Sequence, residues 1–216
     1  MEKDFKLQKF NEYLNCENKE KCTEIYLKAL EENEGNLLNF YNDYIIGSIK
    51  NWHEEFEKNR LSIWKEHVRS SILRTLVECS YPHVIKLGKK AVRKNKKILI
   101  ACPAQEKHDL GARIVSDYFE ISGFDTIYAG NTLPLDTLIE AIEFEKPDFL
   151  ALSVTTKYNF IFLIETVKRV TELFPDLEIY LGGQGLLGDV EKLKIFSNIK
   201  MINLKEIFDK EGADQQ

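Results

Sequence analysis

Three residues in one short stretch could do chemistry together: Glu106, His108 and Gly111. A histidine can present one ring nitrogen to a metal or substrate. A carboxylate two residues earlier can take the proton on the other nitrogen, which fixes tautomer and ring orientation. Gly111 has no Cβ, so something bulky can approach the backbone there. A lone histidine in such a position is ordinarily a solvated or helix-starting residue; two further clusters give this one weight. Ser153-Val154-Thr155 sets two hydroxyls after an apolar run, and Gly182-Gly183-Gln184-Gly185 offers backbone that a flat or elongated ligand could touch. Each has a plainer reading, since Ser153 and Thr155 could cap a helix and the glycines could form a tight turn.

The elements that must position these residues follow from pattern. Ile98 to Cys102 is a short apolar run of strand formers, stopped by Pro103, and a helix begins near His108 with Leu110, Ile114, Tyr118 and Ile121 at helical spacing. Strands 125–128, 149–153, 178–181 and 199–202 then alternate with helices 135–144, 159–173 and 188–195, before a short polar helix. Five strands alternating with helices predict a doubly wound parallel sheet, Rossmann-like and flavodoxin-like in class. In such a sheet, loops at the carboxyl ends of strands bind ligands, and the three clusters all fall there. The stretch before about residue 94 shows no strand. Phe5–Leu14, a second helix capped by Asn18, a third from Leu37 to Trp52 or beyond and a fourth from Leu61 to Val77 predict a four-helix bundle. Ser80-Tyr81-Pro82 should close the fourth helix, and basic residues between Lys86 and Lys97 should form a helix end and linker. The expected domains are therefore 1–92, helical, and 93–216, α/β.

Composition narrows the function classes. The 216 residues carry a net charge of −5, which gives no electrostatic reason to expect nucleic-acid binding. No apolar run approaches spanning length and the first residues are no signal peptide, so a cytoplasmic protein without membrane contact is expected. Cys16, Cys22, Cys79 and Cys102 lack the paired spacing of a zinc site and read as reduced thiols.

Glu106-x-His108-x-x-Gly111, Ser153-x-Thr155 and Gly182-Gly183, in this order, resemble the cobalamin-binding domain family, whose pattern is D-x-H-x-x-G, S-x-L or S-x-T, then G-G. The resemblance implies that His108 replaces the cofactor's own dimethylbenzimidazole as lower cobalt ligand, with Glu106 as its hydrogen-bond partner. Glu stands where the family has Asp, one methylene longer. By the same resemblance Asp109, Gly111, Ser153, Thr155, Gly182 and Gly183 contact the cofactor, several of them along a channel for its nucleotide tail. The form Pro103-x-x-Glu106-x-His108-x-x-Gly111 is similar to one branch, the light-responsive, cobalamin-dependent MerR-type repressors. In that branch a bundle Trp covers the upper corrin face and a Glu-His pair follows it, which here points to Trp52 with His53, and to Glu66-His67. Thirteen residues separate Trp52 from Glu66, about one helical turn more than the family's usual spacing. Trp64 is expected in the bundle core. The branch's winged-helix DNA-binding domain has no counterpart, so no direct DNA binding is expected.

The resemblance implies a cobalamin-binding sensor that holds adenosylcobalamin between bundle and α/β domain and signals through a change of oligomer or protein partner. Methylcobalamin or hydroxocobalamin are the other cofactor forms considered. The alternative is a corrinoid carrier of a methyltransferase system, whose cobalt shuttles a methyl group between partner enzymes. A third reading, another nucleotide bound through Gly182–Gly185, lacks the Gly-rich first loop of a dinucleotide site.

Overall fold

A computed structural model describes residues 2–33, 36–50, 52, 62–186, 190–193 and 195–202. It divides into two compact units between Leu87 and Gly88.

In the first unit, α1 (Glu2–Asn15) and α2 (Lys19–Glu32) are joined by a turn in which the Asn18 side chain accepts from Lys21 N at 3.0 Å, the expected cap. The third helix starts at Leu37 (α3, Leu37–Tyr41) but passes through a π-helical turn, Asn42–Ile46. Residues 47–50 and Trp52 are again helical. Then comes α4 (Ile63–Cys79). Phe10, Tyr26, Phe40 and Tyr44 stack edge-to-face or in parallel to form the core. The Tyr26 hydroxyl meets Ser80 Oγ at 2.9 Å in the buried interior.

One expectation holds and one fails here. The fourth helix ends at Cys79, just before Ser80-Tyr81-Pro82, as expected, but Pro82 does not end the helical region. It sits in the first turn of a further helix, α5 (Tyr81–Gly88), where a missing N–H costs nothing and its fixed φ suits the helix. Trp64 is not core: it is 62% exposed. The buried stripe of α4 runs through Arg69, Ile72, Leu73, Leu76 and Val77, and its first turn extends beyond that packing.

The second unit is the predicted sheet. β1 (Lys97–Pro103), β2 (Asp125–Leu133), β3 (Phe149–Ser153), β4 (Glu178–Gly182) and β5 (Ile199–Met201) are all parallel, in the order β2-β1-β3-β4-β5. Three long helices connect them: α6 (Leu110–Ile121), α7 (Leu135–Glu145) and α8 (Phe160–Leu173). The stretch expected as a helix over 188–195 has a short 3-10 turn, Val190–Leu193, among its described residues, and the polar helix expected at the end lies outside the described residues.

β1 is buried on both faces, which is why it reads as an unbroken apolar run. Leu99 and Ala101 pack with Leu138 and Ile142 of α7 and Leu163, Val167 and Val170 of α8. Ile98, Ile100 and Cys102 face the other way, toward Ala112 and Phe119 of α6. Pro103 does not stop the ladder; two register shifts let it pair with Leu133. β2 accordingly runs past Tyr128, through Gly130 and Thr132, both at positive φ.

The strand order reverses between β1 and β3. That is the switch point of a doubly wound sheet, where chain connections leave in opposite directions and a crevice opens beyond the strand ends. The loops after β1 and β3 are the ones that carry Glu106-x-His108 and Thr155.

Candidate functional site

The loop after β1 is built around one carboxylate. Glu106 is fully buried, and five donors converge on it. Its Oε1 accepts from His108 N at 2.9 Å and contacts His108 Nδ1 at 2.7 Å. Its Oε2 accepts from the backbone of Thr155 at 2.9 Å and Thr156 at 3.0 Å, and from Asn159 Nδ2 at 3.1 Å. Two successive backbone N–H groups aimed at one oxygen make an anion-binding concavity. Burial by itself would raise the Glu106 pKa. Hydrogen bonds from the His108 ring, Thr156 N, His108 N and Asn159 overcome it and hold the carboxyl down to about 2. The group is therefore an anion at any ordinary pH.

A permanent anion 2.7 Å from Nδ1 makes that nitrogen the protonated one and leaves the lone pair on Nε2. The His108 side chain is 48% exposed while its carboxylate partner is sealed inside. That pairing of a buried orienting carboxylate with an outward imidazole is suited to ligating a metal through Nε2. Thr156 Oγ1 lies 3.2 Å from the same Nδ1. Behind the loop, the Cys102 thiol donates to His108 O at 3.9 Å, and burial pushes that thiol up to about 12, so it stays protonated. All four cysteines are free thiols.

The rest of the loop is fixed by neighbouring strand ends. Thr132 N donates to Glu106 O at 3.0 Å, and Asn131 Nδ2 to Lys107 O at 3.3 Å. The longer β2 is what brings these two into reach. Helix α6 begins at Leu110 rather than His108, so the imidazole stands on the loop and not on the helix.

The other candidates divide. Gly111 faces open space: a Cβ built there meets nothing within 4 Å. Ser153 ends β3 opposite Gly182 of β4. Thr155 reaches Glu106 through its backbone, not its hydroxyl. Gly183 sits at φ +106, and an added Cβ would fall 2.0 Å from Val154 O. With Gly185 N donating to Val154 O at 3.0 Å, the glycine turn clamps the loop that presents Thr155 and Thr156. Asp109 is only 2% exposed; its Oδ2 accepts from Arg113 Nε at 2.9 Å and from the Tyr128 hydroxyl at 3.1 Å, holding the first turn of α6.

In the helical unit, Trp52 is 4% exposed, with the Arg69 guanidinium 6.0 Å from its ring centre. Arg69 is itself tied to Glu17 Oε1 at 3.2 Å and Asn15 O at 3.0 Å. Glu66 accepts from Ser70 Oγ at 2.6 Å, and His67 beside it is 67% exposed. His53 lies outside the described residues. Sequence reasoning missed Thr156, Asn159, Asn131 and Thr132. Only Asn159 carried a signal, a cap-forming residue type at a helix start.

Residues 96–194 match the family model of the B12 binding domain. This stretch is a B12-binding domain. Its cofactor is a cobalamin. The match spans all three clusters: the β1 loop, the β3 loop and the glycine turn after β4. Among solved structures, the chain is similar to the monomethylamine corrinoid protein of Methanosarcina barkeri, at 16% identity and a TM-score of 0.79, over 93% of this chain and 94% of that one. It is also similar to a cobalamin-binding protein from Desulfitobacterium hafniense DCB-2, at 16% identity, over 93% and 95% of the two chains, with a TM-score of 0.46. A methanol:cobalamin methyltransferase complex from Methanosarcina barkeri matches at 14% identity, over 98% and 80%, with a TM-score of 0.48.

The residues present fit a B12-binding domain's cofactor. Among the described residues no group of three or more His, Cys, Asp or Glu could hold a metal ion. A corrin brings nitrogen donors of its own, so the one oriented imidazole on this open loop, that of His108, would suffice as the protein's contribution to holding its cobalt. Among the described residues no helix is long and apolar enough to cross a membrane.

Proposed function

We propose that this protein is a corrinoid carrier of a methyltransferase system, with His108 as the lower cobalt ligand through Nε2. Cobalamin held there supplies a cobalt that accepts a methyl group and gives it up again. The chain's own residues orient the ligand: Glu106 keeps Nδ1 protonated, and the Thr155-Thr156 backbone keeps Glu106 in place. Gly111, Ser153, Thr155, Gly182 and Gly183 belong to the expected channel for the nucleotide tail, with Gly111 giving the clearest room. The partners are the enzymes that load and unload the cobalt.

The observation that carries this reading over the sensor is the fold match over 93% of the chain. The Methanosarcina barkeri corrinoid protein shares the helical unit as well as the sheet, at a TM-score of 0.79. The burial of Trp52 points the same way, because the aromatic assigned to guarding an adenosyl group lies inside packed structure beside Arg69.

The test is retention of three forms. Purified protein is mixed in the dark with hydroxo-, methyl- or adenosylcobalamin, freed of excess ligand, and sized before and after green light. A carrier retains hydroxo- and methylcobalamin at least as well as adenosylcobalamin and does not change size on illumination. Selective retention of adenosylcobalamin with a light-driven change of size would establish the sensor instead.

A further inference from the structure

We infer that the irregular end of β2 is a positioning element for His108, with Tyr128 its principal residue: it fixes where the histidine stands, while Glu106 fixes which ring nitrogen carries the proton. The inference rests on the reading of His108 as the cobalt ligand.

β2 is an edge strand. It pairs regularly with β1 as far as Ile100 and Tyr128, then slips twice, so that Ala101 meets Gly130 and Pro103 meets Leu133. Each slip places an additional residue on β2, as a bulge does, and a bulge re-aims the side chains that follow it. Gly130 and Thr132 take positive φ, +98 and +49, along this path. At Gly130 an added Cβ would meet nothing within 4 Å, so the dihedral, not a lack of space, asks for glycine there. The result is contact with the residues on either side of His108. Before the histidine, Thr132 N donates to Glu106 O and Asn131 Nδ2 to Lys107 O. After it, the hydroxyl of Tyr128, the last residue before the slips, donates to Asp109 Oδ2 at 3.1 Å.

The contact with Asp109 separates anchoring from capping. Asp109 occupies the N-cap position of α6, where an Asp side chain ordinarily accepts a first-turn N–H. It makes no such bond. Its carboxylate, 2% exposed, turns to Tyr128 and to Arg113 Nε instead. Arg113 belongs to α6 and moves with it. Tyr128 belongs to the sheet, so its hydroxyl ties the residue after His108 to a strand. The Arg113 guanidinium lies 5.0 Å from the centre of the same tyrosine ring. Tyr128→Phe keeps that ring and removes only the hydroxyl, so it tests the tie and not the packing.

The first readout is residue-resolved amide hydrogen exchange of the full chain without cofactor. In Tyr128→Phe, the N–H of His108, which donates to Glu106 Oε1, and that of Arg113, which donates to Asp109 O, should exchange about tenfold faster, the scale of one lost hydrogen bond. Amides in the middle of β1 and β3 should keep their wild-type rates. Gly130→Ala, which opposes the bulge through its dihedral, should speed Thr132 and His108 in the same way. The second readout is the protein loaded with cob(II)alamin, with heavy nitrogen in its histidines. In both variants the ratio of histidine-coupled to uncoupled cobalt should fall about tenfold, the scale on which outer hydrogen-bond partners of metal-bound histidines act. The imidazole nitrogen shifts without cofactor should stay those of the Nδ1–H form, because Glu106 is untouched.

Wild-type exchange at His108 and Arg113 in Tyr128→Phe would overturn the inference. So would uniform acceleration that includes β1 and β3, since the hydroxyl would then serve the sheet as a whole, and so would a mixture of tautomers, since β2 would then act through Glu106. If Tyr128→Phe does not fold, Gly130→Ala decides by the same comparison. If wild type shows no histidine coupling at all, the ligand reading fails, while the exchange pattern still decides whether β2 holds this loop. Coupling present in wild type and unchanged in both variants would sink the positioning role alone.

Discussion

The two units of this molecule carry candidate residues of similar type, a carboxylate beside a histidine in each, and organise them in opposite ways. In the α/β unit, Glu106 is fully buried, five hydrogen bonds converge on it from two loops, and the His108 imidazole that shares one of them is turned outward. In the helical unit, Glu66 and His67 lie on one helix, 3.5 Å apart, with His67 67% exposed. An exposed adjacent pair of that sort contributes little and is held by little. Burial of the orienting group, rather than the mere presence of a Glu-His pair, separates a preorganised ligand from a surface contact.

That contrast can be broken by substitution. The largest effect is expected from Trp52→Ala, which removes a 4% exposed indole and should cost about 3–5 kcal/mol of stability. Trp64→Ala, at a 62% exposed position, should stay within about 0.5 kcal/mol. Denaturant unfolding of both variants checks this. If Trp52→Ala leaves stability intact and changes only the preference among upper ligands, Trp52 belongs to the cofactor after all.

Glu106→Gln comes next. It strips the charge from a site with five converging donors and turns an NH2 group toward some of them, at a cost of roughly 2–4 kcal/mol. The same carboxyl makes a pH prediction. Its pKa is lowered from 4.5 to about 2 in the folded protein, so its contribution is full above about 4.5 and is lost as pH falls toward about 2. Acid unfolding of wild type should show this loss, and Glu106→Gln should lack it; parallel acid curves would remove the claim that the anion is stabilised by folding.

The glycines sharpen the comparison further. Gly183→Ala would force a Cβ to 2.0 Å from Val154 O at φ +106, and should destabilise the sheet unit by about 2 kcal/mol. Gly111→Ala meets nothing within 4 Å and should be neutral or slightly stabilising in the first turn of α6. It should nevertheless weaken cobalamin retention, since that open space is where the cofactor is expected. Equal retention by Gly111→Ala and wild type would move the cofactor away from this turn.

How much of this was legible in the sequence depended on range. In the sheet unit the order of elements fixes which residues meet: each cluster follows a strand, and parallel strands deliver their following loops to one edge. Glu106 and His108 are two residues apart, so their contact is local and readable. Asn159 donates to Glu106 across a separation of 53 residues, and nothing local distinguishes it from an ordinary helix cap. The glycine turn reads as an open surface for a ligand, yet Gly183 is spent on the close approach of Val154, a contact visible only once β3 and β4 are paired. In the helical unit, faces depend on helix phase over many residues. The π-helical turn at Asn42–Ile46 shifts that phase ahead of the buried Trp52, and Trp64 stands in the first turn of α4, before the buried stripe that begins at Arg69, so spacing alone does not tell which of the two is core.

The central claim is that His108, oriented by Glu106, ligates cobalt from below. The most direct test is electron resonance of the wild-type protein loaded with cob(II)alamin, with heavy nitrogen in the histidines only. Ligation by His108 predicts that each cobalt line splits into a doublet, lost in His108→Ala. A triplet from the cofactor's own unlabelled benzimidazole nitrogen, unchanged in His108→Ala, would contradict it.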